Sequence, residues 1–219
     1  MDGNGNHNGQ RRVVVTGLGA VTALGLDVNS TWEALKQGQS GVDRIASFDA
    51  TNYTTRFAAE VKGFDTEAYV NRKQARHMDR FTQFAVAAGF QAVRAAGLKI
   101  ENGNAEDVGV IIGNSVCGLM SVCEQYQILN QMGPDRISPA LAPTMTGDAA
   151  SVQISLLLGA KGVNYSPSSA CASGADAIGQ AFDMIRHSTN PRPTASRLRR
   201  RRDQRSSSRR SWAVRPGKR

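Results

Sequence analysis

The chain has 219 residues, 40% of them hydrophobic, a length that fits one medium-sized domain or a domain with a tail. Its formal net charge of +9 is unevenly spread: residues 1–191 hold 15 Lys/Arg and 17 Asp/Glu, whereas residues 192–219 hold 12 Lys/Arg and one acid. The positive charge therefore belongs to a tail, and it does not make the rest of the chain a nucleic-acid-binding domain.

The three cysteines, Cys117, Cys123 and Cys171, have no paired spacing, which argues against a disulfide framework. The spacing of Cys117 and Cys123 fits neither a zinc site nor a redox dithiol. The N-terminus has no apolar segment typical of a signal peptide, and no run of 18 apolar residues predicts a membrane span. We therefore expect a cytoplasmic protein without contact to a membrane.

Strands alternating with helices are predicted along residues 13–187, a pattern typical of a layered α/β fold. Buried strands are predicted at 13–17, 108–112 and 163–166, with a short extended piece at 57–61. Helices are predicted at about 29–37, 72–96, 118–131, 144–158 and 172–187. Asn29 or Ser30 is the expected N-cap of the first helix, and Gly159 the expected C-cap after 144–158. The long helix should pack through an apolar face of Met78, Phe81, Phe84, Ala85, Ala88 and Ala92.

Both ends of the chain have a different composition. Residues 1–10 are rich in Gly and Asn, and residues 188–219 are rich in Arg, Ser and Pro, so we predict that both are disordered. The abrupt change after His187 suggests a frameshift that replaced the following sequence. Resequencing the gene tests this hypothesis, and a read that keeps the tail in frame would refute it.

A cysteine stands between the last predicted strand and the last predicted helix. Small residues at 168–175 surround Cys171 and permit a sharp turn that exposes its thiol. At a helix N-terminus the thiol would meet unpaired N–H groups and the positive end of the helix dipole, and the same N–H groups could stabilise an oxyanion. The residues alone leave two interpretations open, a nucleophile for acyl transfer and a buried structural cysteine.

Several separated motifs resemble one enzyme family in its own order. They are RRVVVTGLGAVTALG, TWEALKQGQSGV, RKQARHMDRFTQFAVAAG, VGVIIGNSVCGL, RISPALAP and SACASGADAIGQAF. Residues 11–187 thereby resemble the N-terminal half of the β-ketoacyl-[acyl-carrier-protein] synthase II family, condensing enzymes of the thiolase-like superfamily. The resemblance implies a layered α/β/α fold, with residues 11–187 as the N-terminal domain.

The same resemblance implies a chemistry. An acyl chain would be transferred to Cys171, and a decarboxylative Claisen condensation with malonyl-carrier protein would follow in fatty acid elongation. Val116 and Leu141 are implied to line the acyl pocket, Leu141 from the second subunit of a homodimer. Acyl carrier protein is the implied partner, and the resemblance implies no cofactor and no metal.

Part of the family's machinery is not found in this sequence. The family uses two histidines and a lysine in motifs similar to N-A-H-G-T and K-x-x-x-G-H, and neither motif occurs among the 219 residues. We therefore expect a truncated chain that cannot condense, with an apolar face left uncovered and a tendency to aggregate.

Two features of the sequence suggest functions other than acyl transfer. The Arg-rich tail could bind nucleic acid or anionic surfaces non-specifically, with an affinity that salt weakens. A single aromatic residue there, Trp212, gives little support for specific recognition. Gly17-x-Gly19 after a predicted strand could begin a dinucleotide-binding loop, but Thr22 stands where the third glycine belongs, so we set that function aside.

Overall fold

The structure is a computed structural model, and it describes residues 12–187. The predicted disorder at 1–10, the Arg-rich tail at 188–219 and the frameshift hypothesis lie outside these residues. Within 12–187, no helix combines the length and the apolar character needed to cross a membrane.

Helices are the main regular structure of the described chain, and the strands are two residues long. In chain order the helices are α1 (Val28–Lys36), α2 (Arg72–Ala75), α3 (Arg80–Ala95), α4 (Leu119–Met132), α5 (Leu141–Met145), α6 (Ala149–Leu158) and α7 (Ser173–His187). The strands are β1 (Asp43–Arg44), β2 (Phe57–Ala58), β3 (Val110–Ile111) and β4 (Asn164–Tyr165). β1 pairs antiparallel with β2, and β3 pairs parallel with β4. The predicted strands at 108–112 and 163–166 and the extended piece at 57–61 are confirmed in these shorter forms.

The parallel pair β3–β4 is the centre of the packed part of the fold. α6 contacts both strands and also packs against α3, and α7 contacts β3. Val86, Val110 and Ile154 form the middle of the buried core. The side chain of Asn164 ties β4 to α6, because it accepts a hydrogen bond from Ser151 Oγ at 2.9 Å and donates to Ser155 Oγ at 2.7 Å. These hydrogen bonds hold β4 against α6 and so fix the place where the loop after β4 begins.

The predicted buried strand at 13–17 is wrong. Val15 is 77% exposed, and among residues 12–187 no strand pairs with this segment. The chain instead runs along α3: a Cβ on Gly17 would lie 2.2 Å from Ala92 O, and one on Gly19 would lie 1.9 Å from Ala88 O. Without a hydrogen-bonding neighbour, β-branched residues alone do not make a strand.

The predicted N-cap of the first helix is also wrong, since neither Asn29 nor Ser30 caps it. Asp27 does, because its Oδ1 accepts the Ser30 N–H at 2.7 Å. Ser30 occupies the N3 position, and its Oγ accepts the Asp27 N–H at 3.3 Å, which completes a capping box. The hydrogen bonds from Ser30 to the Asp27 carboxylate lower the pKa of Asp27.

Two long helices predicted from periodicity are each interrupted. The predicted helix at 72–96 consists of α2 and α3, separated at residues 76–79, and the one at 144–158 loses its start to a separate short helix, α5. Gly159 is confirmed as a C-cap, with a φ of +73°.

The buried side of α3 also differs from the predicted apolar face. The residues of α3 that are buried are Thr82, Val86 and Ala87, whereas the predicted face at Phe81, Phe84, Ala85, Ala88 and Ala92 is only half-buried. The buried side is the one that α6 covers, and periodicity within α3 does not contain that information. Met78 of the predicted face is buried, but it lies before α3 begins.

The expected apolar surface is present on the last helices. Leu119, Met120, Tyr126 and Met132 of α4 are exposed, as is Ile178 of α7. Among the described residues, nothing covers these apolar side chains.

Candidate functional site

Cys171 lies in a single 3-10 turn, Ala170–Ala172, that joins β4 to the N-terminus of α7. Its thiol is exposed. The predicted sharp turn with an accessible thiol is therefore confirmed, and the alternative of a buried structural cysteine is wrong. Because β4 belongs to a parallel pair, the turn lies where the carboxyl end of a strand meets a helix N-terminus, a common place for ligand sites in α/β folds.

The backbone beside Cys171 adopts an unusual conformation. Ala170 has a φ of +53°, and it is the one non-glycine residue with a positive φ among residues 12–187. A side chain makes the left-handed region unfavourable, by about 1 kcal/mol or more. A conformation of this kind persists only where neighbouring groups hold it, and it occurs preferentially at functional sites.

The hydroxyl of Ser173 holds this turn. Ser173 Oγ accepts the N–H of Ser169 at 2.9 Å and donates to the carbonyl oxygen of Ala170 at 2.7 Å. The hydroxyl of Ser169 in turn donates to the carboxylate of Asp176, one turn along α7. The backbone N–H of Cys171 has no acceptor within residues 12–187. The turn thus presents an exposed thiol next to an N–H group that is free to bind an oxygen atom.

The loop after β3 lies directly against this turn. Asn114 N–H donates to the carbonyl oxygen of Pro167 at 3.3 Å. A Cβ on Gly113 would lie 1.9 Å from the carbonyl oxygen of Ser173, so only glycine permits this approach. Val116 follows in the same loop and is 76% exposed.

Leu141, the third predicted site residue, begins α5 and is half-buried. The segment after α5 reaches the same loop, because Asn114 Nδ2 donates to the carbonyl oxygen of Gly147 at 2.7 Å. α5 itself reaches the start of α4, where a Cβ on Gly118 would lie 2.4 Å from the Cα of Met145. The loop that carries Val116 therefore contacts both the segment of Cys171 and the segment that follows α5, in each case through Asn114.

A second cysteine lies near the start of α4 in a different environment. Cys117 Sγ donates to Asn114 Oδ1 at 2.6 Å. Burial, with a further contribution from the charge of Asp79, raises the pKa of the Cys117 thiol. That environment favours the neutral thiol, so Cys117 is not suited to act as a nucleophile at neutral pH.

Sequence reasoning missed three residues that build this site: Asp79, Asn114 and Ser173. Asp79 is buried and accepts the N–H and the hydroxyl of Ser121, at 3.1 and 2.7 Å, so it caps the first turn of α4 from 42 residues away. Ser173 could have been found, because a hydroxyl at a helix start is a common cap. No local pattern marks the other two.

The glycines of the Gly17-x-Gly19 pattern have a packing role. Gly17 and Gly19 permit the close approach to α3 described above. The next helix N-terminus, that of α1, already has the carboxylate of Asp27 at its N–H groups. An anion would meet a negative charge there, so this part of the structure does not support a pyrophosphate site.

Comparison with known proteins relates the chain to condensing enzymes. The family model described as the N-terminal domain of β-ketoacyl synthase matches residues 10–190. A 3-oxoacyl-[acyl-carrier-protein] synthase 2 of Synechocystis is 43% identical over 178 residues, which are 81% of this chain and 43% of that protein. The chain thus spans about two fifths of the length of the curated relatives it matches.

Solved structures give the same relationship. A β-ketoacyl synthase from Burkholderia phymatum superposes with a TM-score of 0.67 at 33% identity, over 80% of this chain and 43% of that one. A ketosynthase solved in complex with its type II polyketide acyl-carrier protein, and bound to a hexaketide, gives 0.63 at 25% identity, over 80% and 46%.

Proposed function

The chain belongs to the β-ketoacyl synthase N-terminal domain family, and from this premise we propose that residues 11–187 form the domain that accepts an acyl chain on Cys171. The resemblance and the thiolase-like α/β fold predicted from the sequence are thereby confirmed. The observation that carries the proposal is the position of Cys171: an exposed thiol on a strained turn at the N-terminus of a 15-residue helix.

The proposed reaction is a thioester exchange. The sulfur of Cys171 attacks the carbonyl carbon of an acyl thioester, and the bond between that carbon and the donor's sulfur breaks. The acyl group stays on Cys171, and the donor's thiol leaves with the proton that Cys171 has lost. Negative charge develops on the carbonyl oxygen during the attack. The free N–H of Cys171 and the positive end of the α7 dipole are placed to stabilise it.

The acyl donor in this proposal is an acyl-carrier-protein thioester. The relatives are named for that carrier, and one solved neighbour is a ketosynthase in complex with its own acyl-carrier protein. Fatty acid elongation, which the family resemblance implies, is the proposed pathway, and a homodimer is the proposed assembly. The proposal for these 219 residues is the acyl-transfer step, since the histidine motifs that the resemblance requires for condensation are not among them.

Val116 and Leu141 are proposed to contact the acyl chain. Support comes from the contact between the loop of Val116 and the Cys171 turn, and from the hydrogen bond between Asn114 and Gly147 after α5. An exposed valine, in a loop that contacts the turn of an exposed thiol, offers a surface on which an alkyl chain would lose contact with water.

Mass spectrometry of the intact chain after incubation with an acyl-carrier-protein thioester tests the proposal. We expect one acyl adduct, located on Cys171, and none in Cys171→Ala. The matched control is Cys123→Ala, which removes another exposed thiol, on α4, and should leave the adduct unchanged. The proposal would be refuted by an adduct that remains in Cys171→Ala, or by the absence of an adduct on the folded wild-type chain.

A further inference from the structure

The side chain of Ser173 is 3% exposed, and both hydrogen bonds of its hydroxyl go to the turn that carries Cys171. It accepts from the N–H of Ser169 before the turn and donates to the carbonyl of Ala170 within it. One hydroxyl therefore bridges the two residues that precede the nucleophile.

The hydrogen bond to Ala170 orients the next peptide group. The described chain has no cis peptide, so the N–H of Cys171 points away from the carbonyl of Ala170. Because Ser173 holds that carbonyl toward α7, the N–H of Cys171 is turned away from the helix and left without an acceptor. Ala170 has a φ of +53° here, a conformation that the backbone does not favour by itself.

We propose that Ser173 is a positioning residue whose hydroxyl fixes the peptide between Ala170 and Cys171 and thereby keeps the Cys171 N–H in place for a developing oxyanion. The inference rests on the proposed function of Cys171 as an acyl acceptor. It goes further, because it assigns a role in the rate of carbonyl attack to a buried side chain that does not touch the substrate.

The role is separable from the stability of α7. The backbone N–H of Ser173 also bonds to the carbonyl oxygen of Ala170, and Ser173→Ala leaves that bond in place. The variant removes one hydroxyl and leaves the N–H of Ser169 without its acceptor. The helix should therefore still form, while the peptide before Cys171 gains freedom.

Two reagents distinguish a role in positioning the Cys171 N–H from an effect on the exposure of the Cys171 thiol. p-Nitrophenyl acetate is attacked at its carbonyl carbon: the acetyl group moves to the sulfur of Cys171, p-nitrophenolate leaves, and the thiol proton goes to solvent. Iodoacetamide is attacked at a saturated carbon, with loss of iodide and no oxyanion. Both rates are measured on Cys171 by peptide mass spectrometry, for the wild type, for Ser173→Ala and for Ser169→Ala. Ser169→Ala is the matched control, because it removes a neighbouring hydroxyl that bonds to Asp176 and not to Ala170.

We expect Ser173→Ala to slow acetylation about five- to tenfold, the factor that one net hydrogen bond is worth. Alkylation by iodoacetamide should change by less than about twofold, since no oxyanion forms, and Ser169→Ala should leave the ratio of the two rates near the wild-type value. Equal slowing of both reactions, no slowing, or the same ratio in both variants would overturn the inference. So would a wild-type Cys171 that takes iodoacetamide but not acetate. Neither reagent involves a carrier protein, so a wild type that is acetylated but takes no acyl group from a carrier thioester contradicts the proposed function alone.

Discussion

Replacing Gly113 by alanine is the sharpest perturbation of the site, because it acts on the contact between the loop after β3 and the start of α7. The added Cβ would lie 1.9 Å from the carbonyl oxygen of Ser173, 2.3 Å from its carbonyl carbon and 2.7 Å from the nitrogen of Gly174. All three are backbone atoms, so no side-chain rotation relieves the clash. Overpacking typically costs about 1–3 kcal/mol, and a clash with backbone belongs at the upper end. We therefore expect Gly113→Ala to lower the free energy of unfolding by about 3 kcal/mol.

Gly147→Ala is the matched control, since it lies in the segment that Asn114 contacts. The nearest atom to its added Cβ would be Asn114 Oδ1 at 3.9 Å, an ordinary contact. Its free energy of unfolding should stay within about 1 kcal/mol of wild type. Urea unfolding followed by circular dichroism measures both variants, and the iodoacetamide rate of Cys171 reports whether the start of α7 has moved. Equal stability of Gly113→Ala and Gly147→Ala would refute the reasoning.

Three further perturbations test the packing around the site. Asp79→Ala removes the acceptor for the N–H and the hydroxyl of Ser121, so urea unfolding should show a free energy of unfolding lower by about 2 kcal/mol. Asp79→Asn keeps an acceptor oxygen, so an equal loss in both variants would contradict this expectation. Gly19→Ala places a Cβ 1.9 Å from Ala88 O and should lower the melting temperature, whereas an unchanged value would show that the 13–19 segment does not pack on α3 as described. Burial, and to a lesser extent the charge of Asp79, raise the pKa of the Cys117 thiol above its ordinary 9.0. The contribution of this thiol to stability is therefore complete below pH 9.0 and is lost as the pH rises through the raised pKa. Cys117→Ala should therefore lose less stability than wild type as the pH rises above about 9. Parallel curves of unfolding free energy against pH, measured in urea, would count against this expectation.

Local patterns in the sequence predicted several features that the structure has. The turn around Cys171 could be predicted because small residues, a preceding strand and a following helix are adjacent in the chain. The C-cap at Gly159 could be predicted for the same reason: a helix end and its left-handed glycine are neighbours. The family relationship also followed from the sequence, since its motifs are contiguous stretches in a fixed order.

Prediction failed where a residue's environment comes from distant parts of the chain. The β-branched run at 13–17 predicts a strand, but a strand forms only with a partner, and within residues 12–187 that segment has none. Periodicity in α3 identifies an apolar stripe, but α6 decides which side is buried. The N-cap of α1 was missed for a local reason, because the Asp27 carboxylate accepts the Ser30 N–H and places Ser30 inside the first turn.

The sequence by itself determined that a cysteine stands at a strand-to-helix turn, because the residues that make such a turn are adjacent. Only the tertiary structure placed Gly113 against Ser173 and Asp79 at the start of α4. These pairs are separated by tens of residues, and their contacts arise from how the strands and helices pack. In the sequence, the first contact is visible only as a glycine and the second only as an aspartate. Both residue types occur at many positions for other reasons, so neither identifies its distant partner.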